Sequence, residues 1–126
     1  MKNIKKLGIW MDHSVAYLLE IKDDKIETNK VVSELSDPQT EFNFYKGEKL
    51  INKKERHLQL KYYNKLGEII RNYQEVVLFG PTDAKSELLN LLRTDHLFED
   101  IKTEVINSGK MTESQMHTFV REYFKK

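Results

Sequence analysis

The chain has 126 residues, of which 39% are hydrophobic and 33% charged, with a formal net charge of +1 and no cysteine. Such a length supports one core that buries roughly two thirds of the unfolded surface. The composition argues against disorder, and the missing cysteines exclude disulfides, thiolate nucleophiles and cysteine-based metal sites.

Near-neutral charge gives no global pull toward nucleic acid. The basic start MKNIKKLGIWMDH contains no apolar run of signal length, and no later stretch approaches the roughly 20 apolar residues of a membrane span. The expectation is a single cytoplasmic domain over residues 1–126 with no membrane partner.

In chain order, Leu7 to Met11 is an apolar run, and Val15, Tyr17, Leu19 and Ile21 alternate with the period of a strand. Asp12-His13-Ser14 supplies turn chemistry between them, so the two runs predict a hairpin. A second turn at Asp23-Asp24 leads into a more polar strand carrying Ile26, Thr28, Val31 and Val32, completing an antiparallel meander with one buried face. From Ser36 the pattern breaks. Pro38, Gly47 and the aromatics Phe42, Phe44 and Tyr45 sit in a polar setting, which reads as a long loop over about 36–54.

Between Lys53 and Tyr73, apolar residues at Leu58, Tyr62, Leu66, Ile69, Ile70 and Tyr73 recur every three or four positions and predict an amphipathic helix. Glu75 to Phe79 is short and continuously apolar beyond its first residue, as a strand buried on both faces should be. Gly80-Pro81-Thr82-Asp83 then turns the chain into a helix with Leu88, Leu89, Leu91 and Leu92 directed inward and Thr82 or Asp83 as its cap. Ile101, Thr103 and Val105 alternate as a last strand. Thr112-Glu113-Ser114-Gln115 is a capping box opening a final helix whose inward face is Met116, Phe119, Val120, Tyr123 and Phe124.

The order β-β-β-α-β-α-β-α predicts an α/β domain. Strands joined through helices run parallel and the opening meander runs antiparallel, which gives a mixed five-stranded, ribonuclease H-like sheet.

Three segments carry a family resemblance: GIWMDHSVAYLLEI from Gly8 to Ile21, VVLFGPTDAKSELLNLL from Val76 to Leu92, and MTESQMHTFVREYF from Met111 to Phe124. They resemble, in this order, the "WIDH..A" hairpin, the "GPG.AK.E" strand-turn-helix and the closing helix of small bacterial proteins similar to the middle domain of the archaeal and eukaryotic class-one peptide chain release factor and of Pelota. The resemblance spans nearly the whole chain apart from the loop between Ser36 and about Lys54. In the release factor that loop carries a Gly-Gly-Gln tripeptide that promotes hydrolysis of peptidyl-tRNA. Here it reads EFNFYKGEKLINKKE, and none of the five glycines (Gly8, Gly47, Gly67, Gly80, Gly109) adjoins another. The resemblance therefore implies the fold and an association with the ribosome or RNA, without the hydrolytic chemistry.

Two places are candidate sites. From Phe44 to Lys65 seven cations face two anions, and the aromatics Phe44 and Tyr45 are interleaved with Lys46 and Lys49, followed by Lys53 and Lys54. Aromatic faces stack on exposed bases while lysines meet phosphates. Packing on the sheet edge or a homo-oligomer contact is the competing and favoured reading of the same residues. The second place is Gly80 to Lys85, where a helix N-terminus at the carboxyl end of a central strand offers free N–H groups to an anion, and Gly80, Thr82 and Lys85 would frame it. The competing account is a plain turn with a capped helix and a solvated Lys85.

No catalytic constellation is recognisable, and no cofactor or resident metal is expected. A divalent-metal nuclease would need carboxylates around two ions about 4 Å apart, and only Glu68 and Asp83 could join Asp12. His57, His96 and His117 lack metal-ligand spacing. The expectation is a non-enzymatic binding domain, with a protein-interaction or self-assembling domain as the alternative.

Overall fold

The computed structural model describes residues 5–22, 25–33 and 53–125, with the side chains of 53–55 outside the description. The strands are β1 (Lys6–Met11), β2 (Val15–Lys22), β3 (Lys25–Val32), β4 (Glu75–Gly80) and β5 (Lys102–Asn107). The helices are α1 (Lys53–Ile70), α2 (Ala84–Leu92) and α3 (Glu113–Phe124), with one turn of 3-10 helix at His96–Phe98 between α2 and β5.

The five strands form one sheet in the order β3-β2-β1-β4-β5. β1 is antiparallel to β2 and parallel to β4, β2 is antiparallel to β3, and β4 is parallel to β5. This is the expected mixed sheet of a ribonuclease H-like domain. The turn expected at Asp23-Asp24 and nearly all of the 36–54 loop lie outside the described residues, although Lys22 and Lys25 on either side of that turn pair with each other.

Alternation in the strands decides the layers. Leu7, Ile9, Met11, Leu18, Val76 and Leu78 share one face with Tyr62, Tyr63, Leu66 and Ile70 of α1 and Leu88 and Leu92 of α2. Trp10, Leu19, Val77 and Phe79 point to the other face, where Met116 and Val120 of α3 cover them. β1 and β4 are buried almost throughout because helices cover both their faces. β3 lies at an edge, and its residues alternate between exposed and half-buried along most of its length, which explains its polar sequence.

α3 opens on the expected capping box. The Thr112 hydroxyl accepts the Gln115 N–H at 3.2 Å, and the Gln115 side-chain oxygen accepts the Thr112 N–H at 2.9 Å. The loop before it is pinned by Trp10, whose indole N–H donates to the Gly109 carbonyl at 3.2 Å. α3 lies close on the sheet because Gly8 has no side chain: a Cβ there would stand 2.4 Å from Val120 Cγ2.

Other boundaries and orientations differ from the expectation. α1 stops at Ile70, and Tyr73 lies in the following turn, where its N–H bonds the Ile70 carbonyl. Of the four α2 leucines, Leu88 and Leu92 are buried while Leu89 and Leu91 pack only partly against the core, because a nine-residue helix turns just one stripe to the sheet.

Candidate functional site

The carboxyl ends of β1 and β4 lie side by side, and the turns that leave them meet the N-terminus of α2 and the middle of α1. Gly80 ends β4 with φ +148, and a Cβ on it would come within 2.2 Å of the Met11 carbonyl oxygen. Only glycine fits both the dihedral and the contact. The chain can therefore turn tightly against β1 before Pro81.

Of the two residues expected to cap α2, Thr82 supplies the hydrogen bond and Asp83 does not. Asp83 occupies the N-cap position in helical conformation and makes no side-chain cap bond. The Thr82 hydroxyl instead accepts the Ala84 N–H at 3.2 Å. Lys85, expected either to frame an anion or to be solvated, is only 1% exposed. Its Nζ donates to the Thr82 carbonyl oxygen, so the side chain folds back beneath the turn that precedes it. Burial of an ammonium is costly and a helix N-terminus is positive, so this cation raises the positive potential under the Gly80–Asp83 turn. Four-residue spacing explains the misreading: Ala84, Lys85, Leu88 and Leu92 form the buried stripe, and Lys85 lies on it.

Asp12 makes the expected Asx turn, its Oδ1 accepting the N–H groups of Ser14 at 2.7 Å and Val15 at 2.9 Å. The Asp12 carbonyl accepts the Tyr62 hydroxyl at 2.9 Å, tying α1 to the β1–β2 turn. Beside this lies a polar network that the sequence reading did not single out. Glu87 Oε1 of α2 accepts the Tyr63 hydroxyl at 2.5 Å and lies 3.2 Å from His13 Nε2, and Gln59 Nε2 is 3.2 Å from the Tyr63 oxygen. Tyr62 was read only as an apolar position of α1, and Tyr63 and Glu87 were not singled out. Burial, with Asp12 nearby, holds the Tyr62 phenol well above its usual range, and burial together with the Glu87 hydrogen bond does the same to Tyr63. Both hydroxyls therefore serve as fixed donors. The network staples α1, α2 and the β1–β2 turn to one another.

The carboxylates of the nuclease alternative are not assembled. Asp12 is committed to its own turn, while Glu68 lines a groove with Arg71, Thr94, Asp95 and Leu97 on the outer side of α1 and α2. Among the described residues no group of three or more His, Cys, Asp and Glu is placed to hold a metal ion. Phe44, Tyr45, Lys46 and Lys49 lie outside the described residues. Lys53 and Lys54 fall in the first turn of α1, about two turns before Tyr62.

No protein-family model matches the chain, and no curated protein matches it in sequence. Solved structures do match its fold. Pelota from Archaeoglobus fulgidus superposes with a TM-score of 0.64 at 8% identity, covering 98% of this chain and 32% of that one. Thermoplasma acidophilum Pelota gives a TM-score of 0.62 at 12% identity over 93% of this chain and 32% of its own. The archaeal translation termination factor aRF1 gives 0.52 at 16% identity over 96% of this chain and 40% of its own. A model of ribosome-bound archaeal Pelota and ABCE1 matches with a TM-score of 0.61 at 13% identity, over 92% of this chain and 31% of that one. This chain thus spans about a third of the length of the Pelota chains it matches, and its fold is that of a Pelota- and release-factor-like middle domain.

Proposed function

We propose that this chain is a non-catalytic binding domain of the translation machinery, associating with the ribosome or with RNA. One observation carries the reading: the whole described architecture follows Pelota and aRF1, one matched Pelota being ribosome-bound, while the sequence lacks the Gly-Gly-Gln tripeptide. A fold kept without that tripeptide favours recognition over peptidyl-tRNA hydrolysis.

Two surfaces serve this role. The segment Phe44, Tyr45, Lys46, Lys49, Lys53 and Lys54 offers stacking faces and ammonium groups to single-stranded RNA. The Gly80–Lys85 turn offers backbone N–H groups to a phosphate, with Thr82 at its rim. Lys85 acts there from below, as a buried charge that positions the Thr82 carbonyl and adds to the helix dipole.

Salt-titrated binding of a single-stranded RNA tests the reading. If the four lysines each release about 0.7 of a counterion, log K falls against log salt with a slope of about −3. Replacing Lys46, Lys49, Lys53 and Lys54 with Glu then abolishes binding at physiological salt. Absence of binding at low salt, or binding indifferent to the quadruple variant, contradicts the RNA assignment and leaves a protein-interaction or self-assembling domain.

A further inference from the structure

We propose that the cleft between the last turn of α3 and the β2–β3 hairpin is a binding site for an organic phosphate of nucleotide size. It lies on the α3 face of the sheet and uses no residue of either surface described above. α3 seals the centre of this face with Met116 and Val120, but Ile21 and Ile26, a directly paired couple at the hairpin end, are left half-covered. Together with Phe124 they form the apolar wall of a cleft of about 430 Å³ whose remaining lining is Lys6, Arg121 and Lys125.

That composition is selective. Three cations and no carboxylate line the cleft among the described residues, so an anion is favoured. The negative end of the α3 dipole is present too, and Arg121 and Lys125 complement it, but Lys6 comes from β1 and owes nothing to the helix. The Lys6 ammonium stands 5.7 Å from the centroid of the Phe124 ring, so the apolar wall and the charge are adjacent. A ligand that satisfies both needs a flat or apolar part for Phe124, Ile21 and Ile26 and a phosphate for the cations, with the Arg121 guanidinium able to grip two phosphate oxygens. The volume falls within the range of small-ligand pockets. A free nucleotide and the terminal nucleotide of an RNA strand present this same chemistry.

The test is an amide chemical-shift titration of the full chain at low salt with adenosine monophosphate, adenosine, inorganic phosphate and a short end-phosphorylated RNA. Adenosine monophosphate should shift the amides of Ile21, Ile26, Arg121 and Phe124 saturably, while adenosine and phosphate alone each bind at least about tenfold more weakly. Arg121 is exposed, so R121E leaves the spectrum elsewhere unchanged and weakens adenosine monophosphate about tenfold or more. Phe124→Leu, which keeps bulk without a flat face, weakens it several-fold. Tighter binding by the RNA than by the mononucleotide at these amides assigns the site to a strand end, and the reverse order assigns it to a free nucleotide. Absence of saturable shifts, or full affinity in R121E, overturns the site. Because the quadruple lysine variant leaves this cleft intact, its failure to bind RNA elsewhere does not bear on the result.

Discussion

At Gly80 two constraints coincide, a φ of +148 and a backbone oxygen 2.2 Å from where a Cβ would stand. The neighbour is main chain of the central strand and cannot swing aside, so Gly80→Ala should cost about 2–4 kcal/mol in chemical denaturation. Lys85 presents the opposite case, a residue that the core accommodates at a penalty. Its 1% exposure and single carbonyl partner leave most of the ammonium's hydration uncompensated. Lys85→Met, similar in volume, should therefore hold stability level or raise it by about 1 kcal/mol, whereas Lys85→Glu should prevent folding. A loss of several kcal/mol in Lys85→Met would show that the ammonium is stabilising. The tyrosines add a pH dependence. Burial, with a Glu20 hydrogen bond, pushes Tyr73 up to about 12 from 10.0, and Tyr62 and Tyr63 are also raised. A folded-state pKa above the unfolded value gives stability that is complete below pH 10 and lost as pH climbs through the folded values. Tyr62→Phe, which loses its bond to the Asp12 carbonyl, should be about 1 kcal/mol weaker at pH 7 yet close that gap, and then reverse it, on alkaline titration.

Among the elements, those built from a local rule were readable and those decided by a partner were not. The Thr112–Gln115 box announces α3 because both of its hydrogen bonds are made within four residues. Thr112→Ala should lower stability by about 1 kcal/mol, measured by urea unfolding, and a Thr112→Ser variant should restore most of it. Alternation and turn residues placed the β1–β2 hairpin for the same reason, since Asp12 closes its own turn. The α2 cap was legible only as a choice between two residues. Thr82 and Asp83 both look like caps in sequence, but the strained exit from Gly80 leaves Asp83 helical and hands the Ala84 N–H to Thr82. The His13–Glu87–Tyr63–Gln59 network was not legible at all, because its members come from three elements up to 74 positions apart and each is individually ordinary. A buried lysine is likewise invisible to polarity alone, although the stripe Ala84, Lys85, Leu88, Leu92 contained the signal.

For the molecule as a whole, chain order and the parallel-crossover rule were enough to predict the mixed sheet, because a meander followed by two β-α units leaves few ways to close. The strand order β3-β2-β1-β4-β5 puts β1 at the centre, bringing the Asp12 turn against the Gly80 turn. The hairpin end is only partly covered by α3, and the cleft of Lys6, Arg121 and Phe124 opens there. The likeness to Pelota and aRF1 over nearly all of this chain is one of fold, and the role proposed above adds to it a sequence without the Gly-Gly-Gln tripeptide. Co-sedimentation of the purified chain with ribosomes across a salt series tests this most directly. The chain should pellet with ribosomes at low salt, be released as salt rises, stop pelleting when Lys46, Lys49, Lys53 and Lys54 are replaced with Glu, and bring no release of peptide from peptidyl-tRNA. A chain that stays in the supernatant at every salt concentration, or that releases peptide, contradicts it.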